Sequence, residues 1–136
     1  MQLLQQYLII GLGGALGSML RFGLGSWIDS ATTKGTGPIF PWGTIAVNIT
    51  GCCVIGFIYV ISTGDRALIS PLTRSFIMIG ILGGYTTFSS FSLQTLTLAQ
   101  DGQWGGAAAN VLLSLVLCLI GVWLGAMLGT WLNQMR

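Results

Sequence analysis

Apolar residues fill four long stretches of the chain, at about Leu3–Trp27, Ile39–Ile61, Phe76–Ala99 and Ala107–Leu132, with short polar connections between them. Crossing a bilayer as a helix takes roughly 20 predominantly apolar residues, and each stretch is long enough. The pattern predicts an all-α membrane protein, with four transmembrane helices in one integral membrane domain over residues 1–136 and no soluble module. The first stretch lacks the basic leading segment of a secretory signal, so it reads as a retained span.

The third stretch departs from the others. Between Ile81 and Leu93 it reads Ile-Leu-Gly-Gly-Tyr-Thr-Thr-Phe-Ser-Ser-Phe-Ser-Leu, with paired glycines and the hydroxyl residues Thr86, Thr87, Ser89, Ser90 and Ser92. Such residues build a poor lipid-facing helix. A backbone group freed in hydrocarbon costs several kcal/mol unless protein, water or an ion satisfies it. The pattern therefore predicts a third helix broken mid-membrane. Phe88 and Phe91, three residues apart, fall on one helical face beside the break, which makes this segment a candidate ion site.

Composition narrows the function. Charged residues make up 6% of the chain, against about 25% in a soluble domain. The net charge of +2 is too small to indicate nucleic acid as a partner. There is no histidine, the commonest general base and metal ligand. Asp29, Asp65 and Asp101 all fall outside the four stretches, in predicted loops, so the sequence offers no enzyme chemistry. Cys52, Cys53 and Cys118 lie within spans in no metal-type spacing and read as small apolar packing residues.

Four helices in so short a chain enclose little, so an oligomer is expected. Gly13/Gly17, Gly80/Gly84 and the row Gly121/Gly125/Gly129 follow the small-xxx-small spacing that lets helix backbones approach, in line with that expectation. Charge bias across the membrane is weak. With the N-terminus on the cytoplasmic side, Arg66, Arg74 and Arg136 share that side and face Lys34 and Arg21 on the other. Lysine and arginine near span ends normally set orientation, so this near balance permits insertion both ways up and an antiparallel dimer.

Three segments carry a resemblance. Gly14-Ala-Leu-Gly17-Ser-Met-Leu-Arg21 lies in the first span and Trp42-Gly43-Thr44-Ile-Ala-Val-Asn48-Ile-Thr-Gly51 in the second. The third span holds Gly83-Gly84-Tyr-Thr86-Thr87-Phe88-Ser89-Ser90-Phe91-Ser92. In order and spacing they resemble the CrcB/Fluc family of fluoride channels over nearly the whole chain. The resemblance implies a dual-topology antiparallel homodimer of four-helix subunits in a bacterial inner or plasma membrane. It also implies two fluoride pathways and a structural sodium ion at the dimer centre, held by the main-chain carbonyls of Gly83 and Thr86. Such channels let cytoplasmic fluoride leave passively and so lower its toxicity.

The residues suit an anion. Fluoride is small and strongly hydrated, and even a carboxylate-sized ion meets an idealised cost on the order of 20 kcal/mol in low dielectric. Asn48 offers an amide NH₂, while Thr44, Ser90 and Ser114 offer hydroxyls. Phe88 and Phe91 can present ring edges, the positive part of the aromatic quadrupole. Read from the residues alone, Asn48 equally fits a helix–helix hydrogen bond and the phenylalanines fit core packing. The resemblance matches them to the family's pore asparagine and paired pore phenylalanines. It places Arg21 near an aqueous vestibule, where a cation raises local anion concentration.

On the fourth span Asn110, Ser114 and Cys118 recur every four residues as one polar stripe, matched by resemblance to the continuation of the anion path. Two positions depart from the family pattern. Cys118 stands where many relatives have serine, and a thiol is the weaker donor. Gln94 stands where glutamate is common, so its charge and titration are lost. Three rivals have other features in view. A small four-helix drug exporter needs a carboxylate inside a span, which the predicted spans lack. A non-conducting structural subunit leaves Asn48 and the third span unexplained. A heterodimer with a paralogue fits less well with the weak charge bias.

Overall fold

The computed structural model describes residues 2–33, 40–63 and 68–135. Lys34, Asp65, Arg66 and Arg136 lie outside the described residues, as does Ile39, where the second span is expected to begin. The described chain is helical: α1 (Gln2–Thr32), α2 (Trp42–Ile61), α3 (Pro71–Ser75), a π-helical segment Phe76–Ile81, α4 (Leu82–Tyr85), α5 (Phe88–Gln100) and α6 (Trp104–Gln134). Four stretches are long and apolar enough to cross a membrane, namely Leu3–Thr32, Trp42–Ile61, Pro71–Gln100 and Trp104–Gln134.

Three of the helical stretches outrun their predicted spans, because polar residues continue the helix beyond the apolar run. The last turn of α1 turns its hydroxyls back on its own carbonyls, Ser30 Oγ donating to Trp27 O at 2.8 Å and Thr32 Oγ1 to Ile28 O at 2.8 Å. The third stretch begins early at a cap, where Ser70 Oγ accepts from the Thr73 N–H at 3.1 Å and Pro71 occupies the first helical turn. Asp29 is consequently helical, not in a loop as the sequence predicts.

Two residues separate α4 from α5. Thr86 (φ −80°, ψ 154°) and Thr87 (φ −149°, ψ 115°) are extended. Thr87 restarts the helix as its N-cap, its hydroxyl accepting from the Ser90 N–H at 3.1 Å. The interruption changes the neighbours of this stretch. Before it, the π-helical segment and α4 pack on α1; after it, α5 packs on α6. The most extensive contact is α2 against α6, and α2 also packs on α1. Ile45 and Val47 of α2 are buried at the centre, while Leu12, Phe22, Leu119 and Trp123 face outward, as lipid-facing side chains do.

Glycines set both close helix contacts. A Cβ on Gly13 would lie 2.9 Å from the Gly80 Cα, and one on Gly84 would meet the Gly14 backbone. On α6, a Cβ on Gly121 would lie 3.0 Å from Ile49 O, and one on Gly125 would strike the Cys53 carbonyl. The small-residue rows therefore serve packing between helices of the same chain. Backbones this close leave no room for a methyl group.

Gly125→Ala should lower stability in detergent by about 1–3 kcal/mol, the usual range for overpacking. Gly23→Ala should not, because a methyl group added there meets open space. Thermal unfolding followed by circular dichroism compares the two, and equal midpoints would contradict the close α2–α6 contact.

Candidate functional site

The amide of Asn48 spans the interruption. Its Oδ1 accepts the Thr87 N–H at 2.8 Å, and its Nδ2 donates to the Thr87 carbonyl at 3.1 Å. One side chain on α2 thus satisfies both backbone groups of a residue that has left the helix. The orientation of the amide follows from its partners, since only its oxygen can face an N–H. An amide nitrogen has two hydrogens, so Asn48 keeps one after this pairing. The helix–helix hydrogen bond and the ion donor left open by the sequence are thus compatible in one side chain.

The same pairing frees main-chain acceptors. In an unbroken helix the Thr87 N–H would bond Gly83 O, four residues back; here it goes to Asn48. The Ser90 N–H, which would serve Thr86 O, goes to the Thr87 hydroxyl. Both carbonyls matched by resemblance to a cation site are those whose usual helical donors have been diverted. The Thr86 hydroxyl is engaged, donating to Leu82 O at 2.9 Å.

Two cavities meet at this point. One, of about 320 Å³, is lined by Asn48, Thr87, Phe88, Phe91, Ser114 and Cys118 among others. The Phe88 and Phe91 rings lie 5.3 Å apart between centroids and are tilted at 48°, a favourable geometry for an aromatic pair. The second, of about 280 Å³, gathers Arg21, Asp29, Thr44, Ser90 and Gln94. Thr87 lines both and forms the wall between them.

Two predicted residues stand apart. Asn110 lines neither cavity. It is fully buried (0% exposed), with its Nδ2 donating to Thr95 Oγ1 at 2.8 Å. Thr95 in turn donates to the Phe91 carbonyl at 2.8 Å, and Ser114 Oγ reaches Asn110 Oδ1 at 3.5 Å. The polar stripe on α6 is therefore not one continuous wall; its first member ties α6 to the backbone under Phe91. Gly83 lies exposed and lines neither cavity. Gln94 Oε1 is buried without a partner beside Arg21 in the second cavity.

Sequence reasoning passed over Thr87 and Asp29. Thr87 had a signal, a hydroxyl residue directly before a helical run. Asp29 had none, because its role is tertiary: its Oδ1 accepts the Gly43 N–H at 2.8 Å, satisfying an otherwise orphaned donor at the start of α2. A carboxylate at a helix N-terminus is stabilised there by the backbone dipoles, so this acid is a structural tether of α2 to α1.

Four membrane-crossing helices with cavities lined by amide, hydroxyl and aromatic groups define a multi-pass membrane protein with an internal polar site. Residues 8–126 match the family described as CrcB-like protein, Camphor Resistance (CrcB), and the chain belongs to that family. A protein of Opitutus terrae named fluoride-specific ion channel FluC is 50% identical over 131 residues, 96% of either chain. One of Rhodospirillum rubrum with the same name is 52% identical over 129 residues, 94% of this chain and 97% of its own. Another of that name, from Methylocella silvestris, is 44% identical over 131 residues, 96% of this chain and 97% of its own.

Asn48→Leu leaves the Thr87 N–H and carbonyl unpaired together. At about 1–3 kcal/mol for each buried group, it should destabilise the fold by several kcal/mol and speed amide hydrogen exchange at Thr87. Exchange at Thr87 unchanged from wild type would show that the amide does not hold the interruption.

Proposed function

We propose that this chain is a passive, fluoride-selective channel subunit, a single membrane domain that lets cytoplasmic fluoride leave the cell and so lowers its toxicity. The observation that carries this reading is the Asn48–Thr87 pairing beside the tilted Phe88 and Phe91 rings in one cavity. The relatives' name, fluoride-specific ion channel, supplies the ion and the channel mode.

An ion that sheds water needs replacement donors. The remaining N–H of Asn48, the ring edges of Phe88 and Phe91 and the Ser114 hydroxyl surround one volume, with the Cys118 thiol a weaker donor at its side. Ser114 holds Asn110 only at 3.5 Å, so its proton is free to turn toward an anion. Arg21 supplies positive charge in the second cavity, with Thr44, Ser90 and Gln94 as donors there. The Asp29 charge in the same cavity faces the N–H end of α2, which offsets its opposition to an entering anion. Asn110 acts through Thr95 as a positioning residue for Phe91.

The assembled form on this reading is an antiparallel, dual-topology homodimer in the lipid bilayer with two pathways, the third helix of each subunit broken mid-membrane. Phe88 is 77% exposed on the lone protomer, and Gly83 beside the break is exposed too; a second copy over this face would enclose them. Sodium fits the chemistry of the diverted carbonyls: Gly83 and Thr86 oxygens are hard, neutral ligands, and two copies would offer four of them. When bound, the ion would satisfy those oxygens and hold the two interruptions together.

Fluoride efflux from liposomes should fall about 10- to 100-fold in Phe88→Ile, Phe91→Ile and Asn48→Asp. That is the worth of one hydrogen bond to a charged group, about 1.5–3 kcal/mol. Size-exclusion chromatography should show each Phe variant assembled as wild type. Full flux in both Phe variants would remove the rings from the pathway, and loss of assembly without a flux defect in the residual dimers would make them structural.

A further inference from the structure

Cys52 on α2 and Cys118 on α6 both line the Asn48 cavity, alongside Phe88, Phe91 and Ser114. α2 and α6 pack on each other, and neither cysteine is in a disulfide. The helices are close at this level: a Cβ on Gly121, one turn beyond Cys118, would lie 3.6 Å from the Cys52 Cβ. Cys53, adjacent in sequence, does not line the cavity, and its carbonyl rests on Gly125. The two opposed thiols come from spans far apart in sequence.

Two thiols make a ligand set only for a cation content with two ligands. Among the described residues no group of three or more Cys, Asp or Glu comes together, which excludes the four-coordinate sites zinc requires. Soft thiolates select soft metals, and the linear two-coordinate ones are mercuric, silver and cuprous ions. Charge separates these. A net charge in the low-dielectric interior is expensive; two thiolates leave a negative charge on a monovalent ion and none on a divalent one.

We propose that Cys52 and Cys118 form a two-coordinate site for the mercuric ion in the wall of the ion cavity. Each thiol loses its proton, two S–Hg bonds form, both protons pass to water, and no electron is transferred. The cavity that both thiols line, of about 320 Å³, accommodates the metal. The metal then stands beside Asn48, Phe88 and Phe91 and blocks passage. That block rests on the channel reading above; the metal site itself does not.

The purified full-length protein is titrated with mercuric nitrate against a monothiol competitor, desalted and assayed for metal. Wild type and Cys53→Ser should retain one mercuric ion per chain. Cys52→Ser and Cys118→Ser should hold it on the order of 100-fold more weakly, because one of two linked ligands is lost. Alkylation of metal-loaded wild type, mapped by mass spectrometry, requires no variant to fold: Cys52 and Cys118 should be protected and Cys53 labelled. In liposomes the ion should stop fluoride efflux through wild type and Cys53→Ser but spare Cys52→Ser. Retention in Cys52→Ser equal to wild type, or protection of Cys53 in place of the pair, overturns the site. Metal retention by protein that passes no fluoride even untreated upholds the site and counts against the channel.

Discussion

Everything distinctive in this protein follows from one unhelical step in an apolar helix, and the Asn48 amide is what makes that step affordable. In hydrocarbon a backbone cannot leave the helix without partners for its N–H and C=O. Asn48 supplies both at Thr87, at 2.8 and 3.1 Å, and the Thr87 hydroxyl starts the next helix. The diversion of these two N–H groups releases the Gly83 and Thr86 carbonyls. A single amide thereby shapes a donor-lined cavity and, on the adjoining backbone, a pair of free acceptors. The proposed anion pathway and the proposed cation site are two faces of the same pairing.

The interruption also solves a packing problem. A third span that continued straight would keep one neighbour along its length. Here its first half lies on α1 through Gly13, Gly80 and Gly84, and its second half turns to α6. The α2–α6 contact is independent of it and uses Gly121 and Gly125. Side chains that would fill a soluble core are thus pushed to the outside, while backbone contact holds the interior. Asn110 and Thr95 then carry the α5–α6 contact into the backbone of Phe91, so that the ring position depends on a fully buried hydrogen-bond chain.

Much of this was legible in the residues. Hydropathy located four spans, because length and apolarity are local properties. The glycine–hydroxyl run at Gly83–Ser92 contains Thr86 and Thr87, the two extended residues between α4 and α5. Asn48, Phe88, Phe91, Ser114 and Cys118 were all singled out from residue type and resemblance, and they line one cavity. What could not be read was which partner each polar group takes. Asn110 looked like a pathway residue from its spacing, yet it is satisfied by Thr95 on another helix. Asp29 looked like a loop acid, yet it holds the Gly43 N–H. Glycine spacing announced close contact without saying between which helices. Each of these is a tertiary pairing, which periodicity does not encode.

On the proposed reading, this chain alone passes fluoride and rejects chloride. The direct measurement is efflux from liposomes holding the purified wild-type protein, read with a fluoride electrode and, in a parallel preparation, a chloride electrode, with a potassium ionophore balancing charge. Fluoride should be lost fast, with chloride retention indistinguishable from protein-free vesicles. Fluoride retained by well-folded protein, or chloride lost as fast as fluoride, would contradict this reading.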